Sequence, residues 1–277
     1  MANILPRQKQ EAVLRCLVDG ASVRATERIT EVHRDTILRL MVRAGQGCEK
    51  LMNETMRDLP CRRIEVDELW AYVGKKQRHV TAEDDRRLVG DFWTFVALDP
   101  ESKLVPTYLV GKRTAANAVA FMVDLSSRLA NRVQLSSDAL NAYVEAVETA
   151  FGADVDYGQI VKSYEAEPIG AGRYSPPRVV ATERTVMMGN PVRDNICTSY
   201  VERQNLTVRM NMRRFTRLTN AFSKKVDNLR AAVALHFATY NFVRVHRTTK
   251  LTPAMAAGVA GSPWTMADLL HVTVPAN

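Results

Sequence analysis

The sequence predicts an α/β protein, a mixed sheet flanked by helices and preceded by a small all-helical unit. Three observations predict it. Apolar residues recur at helical spacing through the first 45 positions. Short stretches rich in β-branched and aromatic residues then occupy positions 61–112. Beyond them helical and extended patterns alternate, as they do in a sheet covered by helices. A chain of 277 residues is long enough to bury a sizeable core.

Three short helices are expected over residues 8–44. QKQEAVLRCLVDG places Val13, Leu14, Leu17 and Val18 on one face and stops at Gly20. SVRATERI follows with Ser22 as its N-cap. After the break TEV comes HRDTILRLMVRAG, whose Ile37, Leu38, Leu40 and Met41 form a buried face. This is the layout of a helix-turn-helix, with Glu31 near the usual place of a turn glycine. Its third helix would offer His33, Arg34, Thr36 and Arg39 to the major groove of double-stranded DNA. A plain packing or oligomerisation bundle is the alternative. A polar helical connector fills residues 45–60 and ends at Pro60.

The period then changes. CRRIEVDELWAYVG, DFWTFVALDPESKL and LVPTYLVGK read as three strands, the last two joined by a turn at Asp99–Lys103. TAANAVAFMVDLSSRLA reads as a helix, RVQLSSD as a strand, ALNAYVEAVETAFG as a helix and YGQIVKSYE as a fifth strand. Residues 165–192, rich in Gly and Pro, read as a long functional or irregular loop. Two helices are expected after it, over residues 199–225 and 227–246.

Composition narrows the function classes. No apolar run approaches the roughly 20 residues that span a bilayer. The first residues lack a signal-peptide apolar stretch, so a cytoplasmic location is expected. Cys16, Cys48, Cys61 and Cys197 are far apart, with no CxxC, and read as reduced thiols rather than a zinc site. The net charge is +8, with a pI near 9.5, which points to a polyanionic partner. Residues 203–250 hold eleven Lys/Arg against Asp227 alone, more than the whole excess. Within SYVERQNLTVRMNMRRFTRLTNAFSKK one acid, Glu202, precedes seven basic residues. A solvated helix face mixes its signs, because opposite charges at i,i+4 support it. Such a run without acids suits a phosphate backbone.

Three acids are candidates for chemistry. Asp67 lies mid-strand, where aspartate is depleted; an exposed edge beside Glu65 and Glu68 is the alternative. Asp138 follows a short strand at its carboxyl end, where α/β folds assemble sites; a helix N-cap is the alternative. Glu202 heads the basic helix. Brought together, two carboxylates about 4 Å apart repel by roughly 4 kcal/mol at an effective dielectric near 20. Three need a compensating cation, and hard oxygen donors suit Mg²⁺, with Mn²⁺ able to substitute. Two such ions clamp the attacking and leaving oxygens of a phosphoryl transfer.

TSYVERQNLTVRMNMRRFTRLTNAFSKK and YNFVRVHRTTKLTPAMAAG resemble the C-terminal signature of bacterial DDE transposases of the insertion-sequence-one group. EVDELWAYVG is similar to their first catalytic strand, and the resemblance covers roughly residues 60–260. It implies a ribonuclease H-like core in which Asp67, Asp138 and Glu202 form the metal-binding triad. Asp99, in a turn, and Asp124, mid-helix, are the alternatives to Asp138. Asn205 matches an asparagine of the family motif, and Arg209 occupies its basic position. Glu202, Asn205 and Arg209 share one helical face over two turns, about 10 Å. Leu206 and Met210 fall on a neighbouring apolar face, and Met210 and Met212 are expected in the core. Arg213, Arg214, Lys224 and Lys225 extend the DNA-binding surface.

The domain boundaries that follow are 1–58 for the helix-turn-helix and connector, 59–246 for the catalytic domain and 247–277 for a C-terminal tail. The function implied is cleavage at insertion-sequence ends and transfer of their 3′-hydroxyls to target DNA, by a homo-oligomer at the bacterial nucleoid. A domesticated DNA-binding regulator and a nuclease without strand transfer are the rivals. The charge distribution makes its own test. Neutralising Arg213, Arg214, Lys224 and Lys225 should flatten the slope of log K against log salt by about 0.9 per lost phosphate contact, read by fluorescence anisotropy on duplex DNA.

Overall fold

The computed structural model describes residues 5–165, 178–216 and 219–275. Its elements are α1 (Arg7–Val18), α2 (Val23–Thr30), α3 (Arg34–Thr55), β1 (Arg63–Val73), β2 (Gly90–Leu98), β3 (Tyr108–Gly111), α4 (Ala115–Ser126), β4 (Val133–Asp138), α5 (Asn141–Phe151), β5 (Val155–Glu165), β6 (Arg178–Met188), α6 (Ser199–Asn211), α7 (Val226–Ala238), α8 (Pro253–Ala256) and α9 (Met266–Thr273). Among the described residues, no helix is long and apolar enough to cross a membrane.

The first three helices form where the apolar spacing places them. Ser22 caps α2 by accepting the Ala25 N–H at 3.1 Å. Glu31 turns the chain towards α3 with a φ of 58°, in the left-handed region that favours glycine. The turn therefore keeps a glycine's geometry without the glycine. α3 is one unbroken helix of 22 residues, with the polar connector as its second half.

Gly45 and Gly47 sit inside α3, where each costs about 1 kcal/mol relative to alanine. Close approach explains both. A Cβ at Gly45 would stand 2.3 Å from the Ala231 carbonyl oxygen of α7, and one at Gly47 2.1 Å from that of Thr273 in α9. The last residues are thus packed against the first helices. α9 is held at its start by a capping box between Thr265 and Asp268. A single apolar core runs from Val13 to Val274.

The sheet has six strands in the order β3-β2-β1-β4-β5-β6. β1, β2 and β3 pair antiparallel, β4 joins β1 in parallel, β5 joins β4 in parallel and β6 returns antiparallel. The sheet is mixed and flanked by helices, as the sequence predicts. Phe95 meets Phe121 of α4 and Tyr143 of α5 on one face. On the other, Tyr108 stacks on Phe237 of α7 with ring centroids 5.0 Å apart.

Two expectations are corrected. The segment 165–192 is not loop throughout: Arg178–Met188 forms β6, paired with β5 from Tyr157↔Met188 to Glu165↔Arg178. Its RVVATERTVMM is β-branched enough to extend, but the Gly/Pro-rich residues before it mask that signal; residues 166–177 lie outside the described residues. The basic helix stops at Asn211, and a short 3₁₀ turn at Arg213–Phe215 follows. Arg213, Arg214, Lys224 and Lys225 therefore lie beyond the helix that carries Glu202.

Gly45→Ala tests the α3–α7 contact. Relief of the helix-propensity cost alone would stabilise the protein, whereas overpacking against Ala231 should destabilise it by about 1–3 kcal/mol. Urea denaturation distinguishes the two signs.

Candidate active site

β1 lies third in the strand order, covered on both faces, and carries three acids within four residues: Glu65, Asp67 and Glu68. The exposed-edge alternative is thereby excluded. Glu65 and Asp67 face α6, while Glu68 points to the side of α5. β1 and β4 pair through Ile64↔Leu135 and Glu65↔Ser136. Carried on, that register sets Asp138 level with Asp67. The pairing ends at Glu65, and the strands part around a cleft of about 600 Å³ lined by Asp67, Arg113, Asp138, Lys162 and Glu202.

Carboxylate oxygens of Asp67, Glu68 and Asp138 lie within 4.8 Å of one another. Burial pushes the Asp67 carboxyl up to about 7, and the charges of Glu68, Asp138 and Glu202 add to it. Glu68 is raised by burial and by Asp138, against the pull of Arg113. That guanidinium holds Glu68 at 2.5 Å, and the Tyr143 hydroxyl donates to its second oxygen at 3.0 Å. Asp138 accepts the Leu140 N–H at 3.1 Å, in the turn before α5, and no side chain caps that helix. Glu202 accepts the Thr198 hydroxyl at 2.7 Å and pairs with Lys162.

Two further groups fix these acids. Glu65 accepts the N–H groups of Tyr200 at 2.8 Å and Val201 at 3.0 Å, so a carboxylate from the sheet caps α6. This anchors the turn that carries Glu202. Burial raises Glu65 to about 7, and the two N–H bonds work against that rise. Asn205 donates Nδ2 to Asp67 at 2.8 Å, while its Oδ1 is buried without a partner among the described residues. The donor set is hard oxygen, crowded and short of positive charge at Asp67 and Asp138. Those properties fit Mg²⁺ or Mn²⁺.

The structure brings Asp67 and Asp138 together and puts Glu202 on the rim of the same cleft. The tightest trio, however, contains Glu68 in place of Glu202. Asp124 is bound by Arg128 and Thr107, and Asp99 caps its own turn at Glu101 and Ser102; neither lines the cleft. Sequence reasoning passed over Glu68, Glu65, Arg113, Tyr143 and Lys162. Its only available signal was the run of acids inside an otherwise apolar strand.

The expected DNA contacts divide. His33, Arg34 and Arg39 are exposed and Thr36 half-buried at the start of α3; His33 caps that helix and Arg39 bonds to Thr36. Asn205, expected at the DNA, is 2% exposed and serves Asp67 instead. Arg209 is half-buried. Arg213, Lys224 and Lys225 are exposed. Arg214 bonds to the Ser223 hydroxyl at 2.9 Å and is lowered to about 10 by burial. Met212 is in the core as expected, but Met210 is 65% exposed, with Leu206 exposed beside it. Among the described residues, nothing buries that face of α6.

No protein-family model and no curated protein matches the chain. Among solved structures it is similar to the Mos1 transposase paired-end complex with left transposon end, at 17% identity and a TM-score of 0.24, over 57% of this chain and 60% of that one. The Mos1 strand transfer complex is similar at 18% identity and a TM-score of 0.23, over 56% and 59%. The Mos1 mariner paired end complex with Mn gives 17% and 0.24, over 57% and 60%. The chain spans about three fifths of the length of these structures.

The raised Asp67 has a pH signature. Its neutral form stabilises the fold fully below the ordinary carboxylate range, near 4, and that contribution is lost as pH rises through about 7. In EDTA, the melting temperature of the wild type should fall between pH 5 and pH 8. Asp67→Asn should fall less and melt several degrees higher at pH 8, read by differential scanning fluorimetry.

Proposed function

We propose that the chain is a metal-dependent DDE transposase: it binds insertion-sequence ends, cleaves phosphodiester bonds and transfers 3′-hydroxyl ends to target DNA. The observation that carries this is the convergence of Asp67 and Asp138, from neighbouring parallel strands, in a cleft rimmed by Glu202. Antiparallel β3-β2-β1 continued by parallel β4 and β5 supports a ribonuclease H-like core.

Asp67, Asp138 and Glu202 are the residues that would hold Mg²⁺, or Mn²⁺ in its place. Two such ions, when bound, stabilise the attacking and leaving oxygens of an in-line displacement at phosphorus. The chain's own groups prepare that site. Asn205 orients Asp67, Glu65 fixes the first turn of α6, and Arg113 with Tyr143 keeps Glu68 satisfied beside the cluster. In cleavage, water supplies the new oxygen–phosphorus bond and the departing strand leaves as a 3′-hydroxyl. In joining, that hydroxyl attacks a target phosphodiester and displaces a second 3′-hydroxyl.

DNA reading falls to the start of α3, through His33, Arg34, Thr36 and Arg39, as the second half of a helix-turn-helix. Arg213, Lys224 and Lys225 are the exposed cations for phosphates, with Arg209 and the enclosed Arg214 behind them. The protein would act in the bacterial cytoplasm as a homo-oligomer on double-stranded DNA.

Asp67→Asn, Asp138→Asn and Glu202→Gln should each lower strand cleavage by about 10³-fold, in line with the loss of several kcal/mol of metal-borne stabilisation. End binding should stay within a few-fold. A cut-and-join assay on short duplexes carrying the element's ends checks both. Full cleavage in any of the three variants would overturn the assignment, and hydrolysis without joining by the wild type would make the protein a nuclease.

A further inference from the structure

A second groove, of about 700 Å³, borders α6 on the side of Tyr200 and Arg203 and is closed by the segment after α7. Lys103, Arg203, Arg244 and Arg247 line it, and no carboxylate does. None of the four makes an ion pair with a described residue. Lys103 is engaged by the Pro100 carbonyl oxygen and the Tyr200 ring, and the guanidinium groups of Arg203, Arg244 and Arg247 have no carboxylate partner among the described residues. His246, in the same wall, is held below its usual value by burial and then by Lys103 and Arg244.

Two uncharged groups complete the chemistry. The Tyr200 ring is 45% exposed, with the Lys103 ammonium 3.8 Å from its centroid. Gln204 is 4% exposed and lines the groove, and its Nε2 is buried with no acceptor among the described residues. Cations that track a backbone, an aromatic ring open for stacking and a spare donor are what an unpaired nucleic-acid strand uses. The wall is also built to stay in place. Buried Asn241 bonds to both the N–H and the carbonyl of Val105, at 3.1 and 2.9 Å, just before Arg244 and Arg247.

Tyr200 and Arg203 stand in the same turns of α6 as Glu202, which rims the catalytic cleft. We infer that this groove holds the sugar-phosphate backbone of a single-stranded DNA segment continuous with the strand in the cleft, with an unpaired base against Tyr200. This rests on the DNA-processing function proposed above. It adds a second binding surface, distinct from Arg213, Arg214, Lys224 and Lys225.

Anisotropy titrations of the full chain against a blunt duplex and the same duplex with a short single-stranded overhang test it. The wild type should prefer the overhang by about tenfold, and Tyr200→Ala should abolish that preference. The combined R203Q, R244Q and R247Q variant should flatten the overhang's salt slope by about 2, for three single-strand contacts at about 0.7 each. The R203K, R244K and R247K variant should keep the slope, and circular dichroism checks that each variant is folded.

A folded glutamine variant with unchanged slope and preference would overturn the inference. So would equal weakening on both substrates, or tighter binding of an RNA overhang than of a DNA one. Wild-type binding to DNA without overhang preference would sink the groove alone. No binding to either DNA would remove the proposed function with it.

Discussion

Asp67 is an ionisable group in the middle of the central strand, and much of the fold around it is a response to that placement. An uncompensated carboxylate in a buried site is expensive. Here the neighbouring acids are each given a partner from a different element. Glu65 takes the start of α6, Glu68 takes Arg113 and Tyr143, and Glu202 takes Lys162. Asp67 receives neutral donors, the Asn205 amide and the Glu68 backbone N–H, and no cation pairs with it among the described residues. The charge deficit is thus concentrated at Asp67 and Asp138, where the sheet opens. Position and electrostatics agree on one spot.

The sheet topology supplies the opening. Two adjacent parallel strands cannot be joined by a tight turn, so β1 and β4 are connected through two more strands and a helix. Their carboxyl ends are consequently free of a shared loop. The β1–β4 ladder stops at Glu65 among the described residues, and the side chains above it face a cleft.

Much of this was legible in the sequence. The three N-terminal helices, five of the six strands and the two helices over the sheet follow from apolar period and turn chemistry. The sixth strand did not, because Gly and Pro before it mimic a long loop. Asp67 and Asp138 stood out because aspartate is unusual in and just after strands. Glu68 did not, since its importance depends on Arg113 and Tyr143, which are 45 and 75 residues away. Asn205 was named through the resembled motif and expected at the DNA, whereas its bond to Asp67 could not be read from the sequence. A helical face is readable from sequence, whereas what packs against it is a property of the tertiary fold. Met210 failed for the same reason: an apolar residue at helical spacing has no core to enter unless another element covers it.

The two glycines of α3 reach further than local packing. With α7 and α9 seated directly on its backbone, α3 cannot slide or tilt without dislodging both. The helix whose first turns would enter a DNA groove is therefore welded to the body that carries the carboxylates. In the proposed transposase this makes the molecule a ruler. The distance from a recognised base pair to the scissile phosphate would be set by the length of one rigid helix, and an altered spacing between the two would be met by bending the DNA, not the protein.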